Sequence, residues 1–485
     1  MHQKPSTLVI VFLMVLAFAC PISQPLQAEK PNVLFIATDD MNCDLSAYGH
    51  PLVHSPQIDR LASRGVLFER TYSQNPVCNP SRTSFLTGLY PEQTHILTNA
   101  GHFREHIPQV LTMPQHFRNN GYYVARVGKL YHYGVPDQIG TNGRDDPGSW
   151  EEVRNPIGVD KAVESDLNII IEGASSGGTL SWLEVVSQEY EHTDGIGAAQ
   201  CIELLEANHP EKTGRPFFIA MGFYRPHTPY VAPHTYFDMY PKSLINPYIM
   251  PEDDRDDIPK AALQDRPGQL ELGVEIRKEI IQAYYASITL VDTQVGKLLD
   301  ALDRLNLSDN TIIIFVSDHG YHLGAHGLWQ KSDLFEGSAR VPLIISAPGE
   351  KFARGKIAKS PTELVDLYPT LSELCGIEQP SHLMGKSLSP VLVDPNTQLR
   401  ESAYSVTEAR TVRRADRSKF LGRTIRTNRY RYTEWDEGDF GVELYDYETD
   451  PEELTNLAGN PERANLVKRL QQELQKRMAE AAVEW

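Results

Sequence analysis

Cysteine is scarce in this chain: only 5 of 485 residues, spread widely along it. That spacing excludes a dense disulfide framework, and a chain of this length can bury enough apolar surface to need none. Positive charge is short as well. The 46 Lys and Arg against 64 Asp and Glu leave a formal net charge of −18. This argues against nucleic acid or an anionic membrane as a general partner, and it makes any anionic substrate depend on a locally basic pocket. Internal repeats and low-complexity tracts are missing, and beyond residue 19 no apolar run is long enough for a membrane helix. The early run Leu8 to Ala19 follows Lys4 and is followed by the small residue Ala28. It reads as a secretory signal peptide over residues 1–28, with the mature chain starting near Glu29. Acylation of Cys20 competes, but "LAFAC" lacks the usual Leu three places before the cysteine. The expected location is the periplasm or the exterior, without stable membrane insertion.

What is present is an α/β pattern. "NVLFIATDD" and "NTIIIFVSDHG" are continuous apolar, β-branched runs, as expected of strands covered on both faces in a parallel sheet. "RPFFIAMGF" and "VPLIISAPG" are shorter runs of the same kind. Between them, Lys278 to Leu305 carries apolar residues at spacings of three and four, the stripe of a helix. Alternating strands and helices predict an α/β sandwich with a large, mostly parallel central sheet over residues 29–400. Residues 401–485 change texture. "GRTIRTNRYRYTEW" and "VELYDYETDPEE" predict an antiparallel sheet, followed by a helix with Asn460 as cap and Pro461 at its first position. The segment 134–187, rich in Gly, Asp and Ser, predicts rim loops.

Ligands bind open α/β sheets outside the carboxyl ends of their strands. The two strongest strands deliver acids there: Asp39 with Asp40, and Asp318 with His319. Adjacent carboxylates repel and are costly to desolvate, so two such pairs at equivalent strand ends point to a cation. Carboxylate oxygens suit Ca²⁺ or Mg²⁺, whereas His319 leans towards a transition metal. Basic groups recur in unusual company: Lys129 and His132 in "RVGKLYHYG", His227 between two prolines, and Lys331 thirteen residues beyond Asp318. Singly each suits a surface lysine or a loop-capping histidine. Together they would surround a tetrahedral anion.

Cys78 stands in "NPVCNPSRTSFLTG", a polar, proline-flanked turn with no second cysteine nearby. A buried small hydrophobe, half a disulfide and a reactive thiol are the plain alternatives. The turn would expose it at a helix start beside Arg82, where an anion is favoured. None of those alternatives accounts for the carboxylates.

"CNPSRTSFLTG" resembles the C-x-P-S-R signature of the type I sulfatases, in the alkaline phosphatase superfamily. The chain is most similar to their iduronate-2-sulfatase branch through "SDHG…HGLWQK", "RPHTPY" and "GKLYH". The resemblance implies that a formylglycine-generating maturation enzyme oxidises Cys78 to Cα-formylglycine. It implies that Asp39, Asp40, Asp318 and His319, with the modified Cys78, hold one divalent cation, Ca²⁺. It further implies that a hydroxyl of the hydrated aldehyde, beside Arg82, attacks sulfur, and that Lys129 and Lys331 hold sulfate oxygens. His227 would protonate the departing alcohol, and His132 would take a proton as sulfate leaves. The implied substrate is a sulfated carbohydrate, a uronic acid 2-O-sulfate of a glycosaminoglycan or an algal polysaccharide fragment, with His102, Arg104 and Arg225 as candidate carboxylate contacts. The rivals are a phosphodiesterase or phosphonate monoester hydrolase of the same superfamily, a catalytically silent glycan-binding relative, and a chain whose Cys78 stays a thiol. Pairing among Cys43, Cys201 and Cys375 is left open.

Overall fold

The computed structural model describes residues 2 and 30–483, so the expected signal peptide and Cys20 lie outside the described residues. From Pro31 onward the chain forms one compact unit. Its centre is a nine-stranded sheet of β1 (Asn32–Asp39), β2 (Val66–Tyr72), β3 (Tyr123–Gly128), β4 (Glu152–Arg154), β5 (Phe217–Pro226), β6 (Thr311–Ser317), β7 (Arg340–Ser346), β8 (Lys356–Ala358) and β9 (Thr362–Glu363). The order across the sheet is β8-β2-β7-β6-β1-β5-β3-β4, with β9 also on β2. β1 pairs in parallel with β5 and β6, and β7 alone runs antiparallel to its neighbours. The expected mostly parallel sheet is there, with β1 and β6 side by side at its centre.

Every residue of β1 and β6 is buried, which explains their unbroken apolar sequence. Successive side chains alternate between two cores, as a strand's period of two requires. Leu34 and Ile36 meet α2 (Thr193–Ala207) and α3 (Val274–Arg304) on one face, through Leu204, Leu205, Ile288 and Val291. Val33, Phe35 and Ala37 meet Phe85 and Leu86 of α1 (Cys78–Thr87) on the other. α3 is the helix expected from the apolar stripe at Lys278 to Leu305, and it starts four residues earlier.

The C-terminal part is a four-stranded antiparallel meander, β10 (Ala403–Glu408), β11 (Leu421–Arg426), β12 (Tyr430–Trp435) and β13 (Val442–Asp446), covered by α4 (Ala464–Ala481). Asn460 accepts from the Glu462 amide and caps the single turn Pro461–Arg463, so the helix proper begins at Ala464 rather than at Pro461. Arg477 of α4 is buried against Glu363 at 2.7 Å, which ties this helix to the end of the central sheet. The expected rim segment contains short pieces of strand, including β4 at the sheet edge. Cys43, Cys78, Cys201 and Cys375 form no disulfide. Among the described residues no helix is long and apolar enough to cross a membrane.

Candidate active site

The adjacent carboxyl ends of β1 and β6 bring Asp39, Asp40, Asp318 and His319 together, and α1 approaches from the side with Cys78 as its first residue. Local backbone rules set the details. Asp40 takes φ +67°, a left-handed conformation that Asp tolerates better than most residues. Its amide donates to Asp318 Oδ1 at 3.1 Å and its carbonyl accepts from Tyr284 of α3 at 2.7 Å. Lys331 is flanked by Gln330 and Ser332 at φ +74° and +100°, strain that the surrounding structure holds in order to aim one ammonium inward. Lys129 follows Gly128, at φ +70°, where a Cβ would lie 2.2 Å from the Gly222 carbonyl of β5. Only glycine permits that approach.

The Cys78 side chain was expected to be exposed in its turn. It is fully buried, as is every residue of α1, because the helix is enclosed between the sheet and the segments that pack on it. Cys78 Sγ lies 3.0 Å from Lys331 Nζ, 3.3 Å from His319 Nε2 and 3.9 Å from Asp40 Oδ1. Lys331 Nζ also bonds Asp40 Oδ1, and Lys129 Nζ bonds Asp39 Oδ2. Arg82 reaches across three strand ends. It donates to Asp318 Oδ2 at 2.8 Å, to the carbonyls of Lys129, Leu130 and Thr38, and to Asp39 Oδ1 at 3.4 Å.

Burial alone would raise the Asp39 carboxyl, but Lys129, His227, Arg82 and Lys331 together hold it well below the ordinary range. Asp40 is likewise lowered against its burial by His227, Lys331 and His319. Burial opposes the charge of Lys331, yet Asp40 and Cys78 keep its ammonium above the ordinary range. Burial, reinforced by Lys129, pushes His132 well down, so its imidazole is neutral. Its Nδ1 is buried without a hydrogen-bond partner. His227 turns Nδ1 to the Thr228 carbonyl and places Nε2 3.8 Å from Asp40 Oδ2.

The donor set fits a divalent cation. Ligand atoms of Asp39, Asp40, Cys78 and His319 all lie within 4.8 Å of one another, and Asp40 Oδ2 is buried without a hydrogen-bond partner. His319 Nδ1 donates to the Gly320 carbonyl at 2.9 Å, which leaves Nε2 as the lone-pair nitrogen facing Cys78 and Asp40. Asp318 borders this group, with Oδ1 3.6 Å from His319 Nε2. Its Oδ1 accepts the amides of Asp40 and His319 and its Oδ2 accepts from Arg82.

A sulfatase family model matches residues 31–377. The chain belongs to the sulfatase family. A second model, the C-terminal part of N-sulphoglucosamine sulphohydrolase, matches residues 324–480. The chain is 32% identical to human iduronate 2-sulfatase over 473 residues, covering 83% of this chain and 84% of that one. It is 33% identical to the choline-sulfatase of Rhizobium meliloti over 457 residues, covering 89% and 83%. Among solved structures it resembles the phosphonate monoester hydrolase of Agrobacterium radiobacter, with TM-score 0.76 and 25% identity, covering 93% of this chain and 96% of that one. The sandwich is therefore the alkaline phosphatase fold.

The three expected carboxylate contacts are all engaged inside this sulfatase. Arg104 directs its donors to Asp146, Gln115 and the carbonyls of Pro108 and Val110. Arg225 is buried against Asp160 at 2.7 Å and bonds the carbonyls of Val231 and His227. His102 uses one ring nitrogen on the Asp145 carbonyl and the other on the Arg104 amide. The structure gives each of these side chains hydrogen-bond partners within the protein. Ser317 and Tyr284, which hold the backbone around Asp40 and Met41, were not singled out from sequence, since a serine and a helical tyrosine carry no spacing signal of their own.

Proposed function

We propose that this protein is an exported sulfatase that removes an O-sulfate from a sulfated sugar, a uronic acid 2-O-sulfate, through a formylglycine made from Cys78. The observation that carries this reading is the convergence on Cys78, within 3.9 Å, of Lys331, His319 and Asp40. The uronate preference draws on the likeness to iduronate 2-sulfatase. Modification requires an unfolded chain, because Cys78 and all of α1 are buried once folded. A maturation enzyme reading "CNPSR" before folding is therefore the expected partner, and export is the expected fate.

Charge balance supports an anionic reaction. Asp39, Asp40 and Asp318 are formally cancelled by Arg82, Lys129 and Lys331. A divalent cation, Ca²⁺ in this proposal, would be held by Asp39, Asp40, Asp318, His319 and residue 78. It would leave two net positive charges to meet a sulfate ester and an oxyanion. The hydrated aldehyde supplies an oxygen nucleophile and a second hydroxyl, which a thiol cannot. Lys331 faces the nucleophile position and steadies developing negative charge there, while Lys129 holds Asp39 and the sulfate side. His227 presents Nε2 as the proton donor to the departing alcohol. His132, neutral and unbonded at Nδ1, receives the proton released when sulfate departs.

Mass spectrometry of the peptide containing Cys78 is expected to show a loss of roughly 18 Da, thiol to aldehyde. Sulfate esters should be hydrolysed faster than matched phosphate and phosphonate esters. An unmodified thiol in fully active protein, or a preference for phosphonate, would overturn the reading. Chelation is expected to abolish activity and lower the unfolding midpoint, and Ca²⁺ at a hundredfold excess over Kd should restore about 2.7 kcal/mol. An unfolding midpoint indifferent to chelator and Ca²⁺ would remove the cation from the proposal.

A further inference from the structure

His227 stands in a loop that a single arginine ties at its base. Arg225 is the penultimate residue of β5, and the chain returns as the strand Tyr230–Pro233. The Arg225 guanidinium spans the loop between them, donating from Nη1 to the His227 carbonyl at 3.2 Å and from Nε to the Val231 carbonyl at 3.3 Å. Its third nitrogen, Nη2, donates to Asp160 Oδ2 at 2.7 Å. The other oxygen of Asp160 accepts the amide and the hydroxyl of Thr193, both at 2.7 Å, at the start of α2. Asp194, the next residue of α2, accepts the amides of Tyr224 and Arg225 at 2.9 Å each. Arg225, Asp160 and Asp194 are all buried.

The imidazole is fixed by the same loop. The His227 amide donates to the Tyr224 carbonyl at 3.1 Å, and its Nδ1 donates to the Thr228 carbonyl. Thr228 Oγ1 is held in turn by the Thr179 carbonyl at 3.0 Å and the Ser181 amide at 3.2 Å. These contacts leave Nε2 facing Asp40 Oδ2, 3.8 Å away. A general acid works only within hydrogen-bond reach of the oxygen it protonates. Misplacing a reacting group by about 1 Å can cost roughly 100-fold in rate. The planar guanidinium serves a carboxylate and two carbonyls at once, which the compact ammonium of a lysine does not.

We propose that Arg225, held by Asp160, is a positioning residue for proton donation. It fixes the His227 carbonyl and thereby the place of Nε2 beside the sulfate ester. As the S–O bond to the sugar breaks, the sugar oxygen keeps the electron pair and takes the proton from Nε2. Arg225 therefore governs how readily a poor leaving group departs, and not how tightly a substrate carboxylate binds. This rests on the sulfatase reading, with His227 as its acid.

The test uses full-length protein and three sulfate esters with progressively poorer leaving groups: 4-nitrophenyl sulfate, phenyl sulfate and a 2-O-sulfated uronate disaccharide. Arg225→Lys keeps a cation beside Asp160 but gives up the fork. It should lower kcat on the disaccharide roughly 10- to 100-fold, less on phenyl sulfate and least on 4-nitrophenyl sulfate, with KM changed less than kcat. Asp160→Asn, which loosens the guanidinium while keeping the shape of its partner, should give the same graded pattern more weakly. In a His227→Ala background, where the acid is already gone, Arg225→Lys should add almost nothing. Equal losses on all three esters, or a full further loss in the His227→Ala background, would overturn the positioning role alone. So would a rise in KM confined to the disaccharide, which would make Arg225 a substrate contact. A His227→Ala protein that loses equally on all three esters would remove His227 as the acid, and the role of Arg225 with it. A wild type that hydrolyses none of them would overturn the sulfatase reading itself.

Discussion

Replacing Cys78 with alanine is expected to lower sulfate-ester turnover by roughly 10⁴-fold or more, the scale on which loss of a nucleophile acts, while leaving the protein folded. Folding should survive because Cys78 opens α1, where alanine is the best helix former, and the change removes a single sulfur from a buried position. Lys331 keeps its bond to Asp40, so no charge is left without a partner. Cys78→Ser separates two possible functions of the residue. Serine can offer one oxygen but has no second hydroxyl with which to expel sulfate. It is expected to retain one sulfo group per chain, visible by mass spectrometry, without turning over. Activity of Cys78→Ala within tenfold of wild type would show that the reaction does not run through this position.

Much of that centre is legible in the sequence because it sits where a parallel sheet must place it. Strand runs ending in Asp39–Asp40 and Asp318–His319 announce their own carboxyl ends, and adjacent buried acids demand a cation whatever the fold's details. The direction of β7 is not legible. "VPLIISAPG" has the same buried composition as its parallel neighbours, and burial on both faces says nothing of orientation. The substrate contacts are the least legible of all. Arg104 and Arg225 looked suitable by position, yet an arginine's role depends on which acid it meets, and Asp146 and Asp160 are distant in sequence.

Arg82 is expected to be the residue whose loss damages stability and activity together. Its side chain is fully buried, and it joins the ends of three strands: Thr38 and Asp39 at the end of β1, Lys129 and Leu130 after β3, and Asp318 after β6. Burial opposes its charge, but Asp318, Asp39 and Cys78 hold the guanidinium more firmly protonated than usual. Arg82→Ala therefore leaves two carboxylates facing a dry cavity with one fewer cation. Breaking a buried pair in this way costs about 3–5 kcal/mol. Arg82→Lys keeps the charge but cannot form the planar set of donors that serves Asp318 and three carbonyls at once, so it should recover only part of that loss. Denaturant unfolding of both variants, with activity on the preferred sulfate ester, is the measurement. Destabilisation should fall in the order alanine, lysine, wild type, with activity reduced in both variants because Asp39 and Asp318 lose their alignment. An Arg82→Ala protein as stable as wild type would mean that bound cation alone balances these carboxylates, and that the arginine serves the chemistry without holding the strand ends together.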